Sequence, residues 1–139
     1  MMRKNPILRE ISHFLLPAIM LFALYVQFHG DYSPGGGFQA GVIFASAIVL
    51  YAILHGTKKA EKVLPIKLTK VLAAIGVLLY AGVGILGIML GGNFLDYNVL
   101  DSNPISGQHW GIFFIELGVG VTVATVIISI FYTFSKFKN

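Results

Sequence analysis

Four long apolar stretches alternate with short polar ones along the chain. They run from Ile11 to Phe28, Phe38 to Leu54, Leu68 to Leu90 and Trp110 to Phe134. Each reaches or approaches the roughly 20 residues that a helix needs to cross a ~30 Å hydrocarbon layer. Inside such a layer the backbone must satisfy its own hydrogen bonds, so the pattern predicts four helices. No segment shows the ~10-residue alternation of a membrane β-barrel strand. The expected fold is an all-α integral membrane protein with four transmembrane helices, residues 1–139 forming one domain.

Composition narrows the function classes. Of 139 residues, 56% are hydrophobic and only 12% charged, against roughly 25% charged in an average soluble domain. A soluble domain of this size buries only ~60–70% of its chain surface, so the apolar excess must face lipid or other proteins. A soluble enzyme and a nucleic-acid-binding domain are excluded on that ground. There are no cysteines, which removes disulfides, thiolate catalysis, Fe–S clusters and Cys-based zinc sites.

Charge then sets the expected orientation. Arg3, Lys4 and Arg9 precede the first span. Lys58, Lys59, Lys62, Lys67 and Lys70 lie in or beside the link between spans two and three, and Lys136 and Lys138 follow span four. These are all ten basic residues, and they fall on one side. Asp31, Asp96 and Asp101 lie on the other. The positive-inside rule therefore predicts cytoplasmic termini and a cytoplasmic middle link in a multi-pass protein of the cell membrane. The residues Pro6, Arg9, Glu10 and His13 interrupt the N-terminal apolar run, and no small-x-small site follows it, so an uncleaved first span is expected rather than a signal peptide. The outer connection Gly91–His109 is long, a length common in functional or partner-ordered loops.

The most unusual string is His29-Gly30-Asp31-Tyr32-Ser33-Pro34-Gly35-Gly36-Gly37-Phe38-Gln39-Ala40-Gly41. Pro34 suits the first turn of a helix, and the glycine run allows a sharp turn and close backbone approach. Gly37, Gly41 and Ala45 continue at four-residue spacing, a small-residue stripe suited to packing against another helix. Phosphate binding is disfavoured, because the Lys and hydroxyl of GxxxxGK[ST] are missing and GxGxxG fails at Ala40.

SPGGGFQAGV, following an HG at the start of a second span, resembles the signature of the B-type (MrpB/MnhB) member of Mrp/Mnh-type multisubunit Na+/H+ antiporters and of the related subunits of energy-converting membrane-bound hydrogenases. Gly30, Pro34, Gly35, Gly36, Gly37, Phe38 and Gly41 match that pattern, while Asp31 stands where His is common and Ala40 where Gly is common. Gly111-Ile112, then Ile115-Glu116-Leu117-Gly118-Val119, is similar to the family's last span. The resemblance covers nearly the whole chain. It implies a non-enzymatic membrane subunit, without a cofactor of its own, in a hetero-oligomeric complex that moves Na+ and H+. A hydrogenase-type or related respiratory complex is the close alternative, and a purely structural membrane scaffold the second. A small autonomous channel or carrier is the weakest reading, since transport paths need several polar groups.

Ionisable groups inside a membrane are costly and point to function. Glu116 lies six residues past Trp110, an interface anchor, and shares a helix face with His109, Ile112, Phe113, Gly120 and Val123. It is either a proton or sodium relay, with His109 bridged through water, or a residue that locks assembly by bonding a polar group. His13 precedes Pro17 by four residues. Pro17 predicts a kink that frees the His13 carbonyl for a cation, a neighbouring helix or a water. The four histidines, at 13, 29, 55 and 109, form no HxxxH or HExxH pair, so no metal site is expected from this chain alone. Gly76, Tyr80, Gly84, Gly87 and Gly91 mark span three as a closely packed seam.

Overall fold

The computed structural model describes residues 6–30 and 36–137; Pro34 and Gly35 of the glycine string lie outside the described residues. All regular structure among the described residues is helical: α1 (Pro6–Phe28), α2 (Gly37–His55), α3 (Thr57–Val63), α4 (Ile66–Met89), a 3-10 turn (Tyr97–Leu100) and α5 (Pro104–Phe137). α1, α2, α4 and α5 are each long and apolar enough to cross a membrane. α5 packs against α2 on one side and α4 on the other, and α1 lies against α2.

Proline opens two of the long helices. Pro6 and Pro104 occupy first-turn positions, where a missing N–H removes no helical bond. Asn103 caps α5, its Oδ1 accepting from the Ile105 N–H at 3.0 Å. α1 continues as one helix through Pro17. α2 ends at Gly56, whose φ of +100° suits a residue without a Cβ.

The short helix α3 falls in what the apolar pattern marks only as a polar link. Gly56 starts it, its carbonyl accepting from the N–H groups of Lys59 and Ala60 at 3.1 and 3.2 Å. Ala60 is buried in a cluster with Ala45, Ile48 and Ala52 of α2 and Ile128 and Tyr132 of α5. Lys136 Nζ reaches Glu61 Oε1 at 3.0 Å and ties α3 to the end of α5. Both partners remain partly exposed, so the pair is worth at most about 1 kcal/mol.

The glycines of the third span form a seam with α5. A Cβ at Gly76 would lie 2.6 Å from the Gly118 carbonyl oxygen, and one at Gly118 would lie 2.8 Å from the Gly76 carbonyl oxygen. Close backbone approach brings hydroxyls into reach across the seam. Ser129 Oγ donates to Thr69 Oγ1 at 2.7 Å, and Thr69 is fully buried. Interhelical bonds of this type add to packing where lipid supplies no hydrophobic drive.

The outer connection is ordered by the chain's own helices. α5 begins at Pro104, nearly two turns earlier than the apolar pattern indicates, so the connection is shorter than Gly91–His109. The Tyr97 ring and carbonyl lie where side chains at Gly111 and Gly107 would be, and the Phe94 ring does the same at Gly84. Asn98 Oδ1 accepts from Gln108 Nε2 at 2.9 Å. Packing against α5 raises the Tyr97 phenol pKa, chiefly by desolvation and secondarily through Tyr80, so Tyr97 stays neutral at physiological pH.

Candidate functional site

The first two connected helices converge on one point of α5. α1 ends in a turn at His29-Gly30, and α2 starts at Gly37. Gly36 caps α2 in an extended conformation, its N–H donating to Gln39 Oε1 at 3.1 Å. The small-residue stripe Gly37-Gly41-Ala45 faces α5, and all three residues are buried.

Glu116 of α5 occupies the gap between these ends. A side chain at Gly30 would overlap its carboxylate, and a Cβ at Gly36 would lie 2.5 Å from Glu116 Oε1. A Cβ at Gly37 would overlap the Glu116 backbone carbonyl. One turn further along α5, a Cβ at Gly41 would sit 2.6 Å from the Gly120 carbonyl oxygen. The glycine string therefore makes a cradle around a half-buried intramembrane carboxylate. Absence of side chains at 30, 36 and 37 is what lets the carboxylate approach the start of α2, where first-turn N–H groups favour negative charge. Close packing and a polar site are two consequences of one arrangement.

Aromatic rings border the cradle. Phe113 stacks on Phe28 at 6.1 Å between centroids, and Trp110 meets Phe113 and Phe114 at 6.3 and 5.9 Å. These rings sit between the cradle and the exposed start of α5, in the manner of an interfacial belt. Phe38, the aromatic of the glycine string, is 60% exposed and available to lipid or another subunit.

The other sequence candidates lie elsewhere. His109 is exposed two turns outward of Glu116 on α5. His13 is exposed near the opposite end of α1 and does not join the cradle. It meets His55 instead, the ring centroids 5.8 Å apart, and Tyr51 stacks on His55 at 4.5 Å. Among the described residues no group of three or more His, Cys, Asp or Glu is placed to hold a metal.

Two participants carry little sequence signal. Gly30 counts as part of a turn in the linear string, yet it touches the carboxylate from the α1 side. Gln27 is only 8% exposed, and its Oε1 lies where a side chain at Gly120 would be. A glutamine in an otherwise apolar span is the one clue to it.

The comparison with known proteins decides the family. A family model described as "Domain related to MnhB subunit of Na+/H+ antiporter" matches residues 7–129. The chain belongs to the MnhB family. Proteins named "Putative antiporter subunit mnhB2" from Staphylococcus aureus strains Newman and JH1 are each 32% identical over 138 residues, covering 97% of this chain and 97% of theirs. As an MnhB-family member with four membrane-crossing helices, the chain is a multi-pass membrane subunit of a Na+/H+ antiporter complex, and other membrane subunits are its partners. The family match runs through both the glycine string and the Glu116 segment, the two parts that meet in the cradle.

Proposed function

We propose that the Glu116 cradle handles protons within the antiporter complex, Glu116 taking up and releasing a proton as Na+ is exchanged. The observation that carries this reading is the placement of an intramembrane carboxylate against Gly30 and Gly36, at the start of α2. Ionisable groups at such depth are expensive and line transport paths. The α2 terminus favours the ionised state, so the group can cycle between charged and neutral forms as its surroundings change. His109, on the outward side of the same helix, is placed to receive the proton through water.

A second reading has its own observation. The Glu116 backbone carbonyl lies against Gly37, so the same residue sits in a helix crossing. On that reading Glu116 locks α1, α2 and α5 together and moves no proton. Glu116→Gln separates the two, because glutamine keeps the shape but exchanges no proton. Sodium-dependent proton movement in vesicles, normalised to assembled complex, is expected to fall in this variant. Full activity would remove Glu116 from the proton path, and failure to assemble would make it structural.

In this reading the termini and α3 face the cytoplasm and the cradle opens outward. The ion pair between Lys136 and Glu61 places the end of α5 beside α3, consistent with both lying on one side. With Lys58→Cys and Asp101→Cys variants in intact cells, an impermeant thiol reagent is expected to label position 101 and spare position 58. The reverse pattern would invert the topology.

A further inference from the structure

We infer that Gln27 carries the proton path one step inward from Glu116, its side-chain amide holding a water molecule that links the carboxylate to the interior of the bundle. The inference rests on the reading of Glu116 as a proton carrier.

The motive is a polar group with nothing to bond. Gln27 is more than nine-tenths buried, and its Nε2 is covered with no hydrogen-bond partner. Buried polar groups are almost always satisfied, by protein or by an ordered water. In a membrane-embedded helix the alternative, an idle donor, is costly. Methionine or leucine would fill the same space without that cost, so an amide here needs a purpose other than packing.

Its surroundings supply the partners that a bound water requires. Gln27 and Gly30 lie three residues apart where α1 ends, hence on one face. Gly30 touches the Glu116 carboxylate, while the Gln27 Oε1 rests against Gly120, one turn further along α5. The Gly37 carbonyl oxygen lies 3.2 Å from the same Cβ position at Gly120 that the Gln27 oxygen overlaps. The amide, that carbonyl and the carboxylate thus surround one small region. One turn of α5 rises about 5.4 Å. A water hydrogen-bonded on two sides spans roughly 5.5 Å, so a single molecule bridges the step. Two to four polar partners are what a buried water normally has.

On the inward side the path meets an elongated cavity of about 350 Å³ lined by Gln27, Gly41, Gly120, Ala124, Thr125 and Ile128 among others. The Thr125 hydroxyl is already committed to the Val121 carbonyl at 2.7 Å. That leaves Gln27 as the lining side chain with free hydrogen-bonding capacity, at the end of the cavity nearest the carboxylate. A proton leaving Glu116 inward passes to the water held by Gln27. Gln27 itself keeps its protons, so it is a positioning residue.

The test compares Gln27→Met, Glu116→Gln and the double variant in the complete complex, in vesicles. Methionine preserves volume and removes the unsatisfied amide, and such a change is neutral or stabilising for folding. The expected result is wild-type assembly, a maximal exchange rate lowered on the order of tenfold or more, and an unchanged half-saturating Na+ concentration. Gln27→Asn, which keeps the amide, should recover part of the rate. The double variant should be no slower than Glu116→Gln alone, because the two residues act in one step. A full rate in Gln27→Met beside a slow Glu116→Gln would overturn the role of Gln27 and leave that of Glu116 standing. Full rates in both would overturn both. Failure of Gln27→Met to assemble would show the amide to be a structural partner and overturn the proposal.

Discussion

Gly37→Ala is expected to prevent assembly of the complex, whereas Gly36→Ala is expected to leave assembly intact and impair exchange. The two glycines are adjacent but meet different parts of Glu116. A Cβ at Gly37 falls on the Glu116 backbone carbonyl, which α5 holds in place through its own hydrogen bonds. Relief requires α2 and α5 to separate, and overpacking of this type costs about 1–3 kcal/mol for an added methyl and more for a larger group. The separation would also open the contact between Gly41 and the Gly120 carbonyl one turn along. At Gly36 the nearest atom is Glu116 Oε1 at 2.5 Å, with the carboxylate carbon at 3.2 Å. That is the end of a flexible side chain, and it can swing aside. Gly36→Ala therefore displaces the carboxylate while sparing the helix crossing. Co-purification of the other subunits with a tagged copy in mild detergent reads the first effect. Equal yields for the two variants would show that Gly37 does not govern the crossing. Leucine at either position should fail to assemble.

The second large effect is expected from Glu116 itself. Glu116→Gln retains length, planarity and much of the hydrogen bonding, though it loses the charge assistance that makes carboxylate bonds strong. It should assemble and lose most sodium-driven proton movement. Glu116→Ala is a poorer probe, because it removes both the titrating group and the atoms that fill the space between Gly30 and Gly36. Loss of function in the alanine variant is common to the proton-carrier and assembly-lock readings. The glutamine variant separates them through the ratio of activity to assembled complex.

Much of this architecture is legible in the sequence, because lipid imposes a simple rule. A run such as Leu68 to Leu90 can only be a helix in hydrocarbon, and α4 occupies Ile66–Met89. The stripe Gly37-Gly41-Ala45 announces a helix contact, although periodicity within α2 does not name the partner, which is α5. Apolar pattern fails where a helix leaves the membrane. The first turns of α5, Ile105 to His109, are too polar to register, and only Asn103-Pro104 marks the true start. α3 is missed for a related reason: Thr57–Val63 is short and lysine-rich, and its stability comes from Gly56 and the burial of Ala60.

Candidate chemistry is legible by residue type and less so by grouping. Glu116 stands out as an acid among apolar residues, and the glycine string stands out as a turn. Their convergence joins opposite halves of the chain, which no local pattern encodes. His109 and Glu116 share a helix but sit at different levels, one exposed and one half-buried. His13, grouped with them by its intramembrane position, belongs to the other end of the bundle. There the antiparallel run of α1 and α2 brings it to His55.

If Glu116 carries the proton, a carboxyl group in the glycine cradle must change its protonation when the complex exchanges Na+ for H+. Infrared difference spectroscopy on the assembled complex, triggered by a sodium jump, measures that change, and isotope-labelled glutamate assigns it to a glutamate side chain. The expected result is a protonated-carboxyl band that alters with sodium in the wild type and is absent from Glu116→Gln at equal assembly. The same band in both proteins, or no carboxyl change in the wild type, would contradict proton transfer through the cradle.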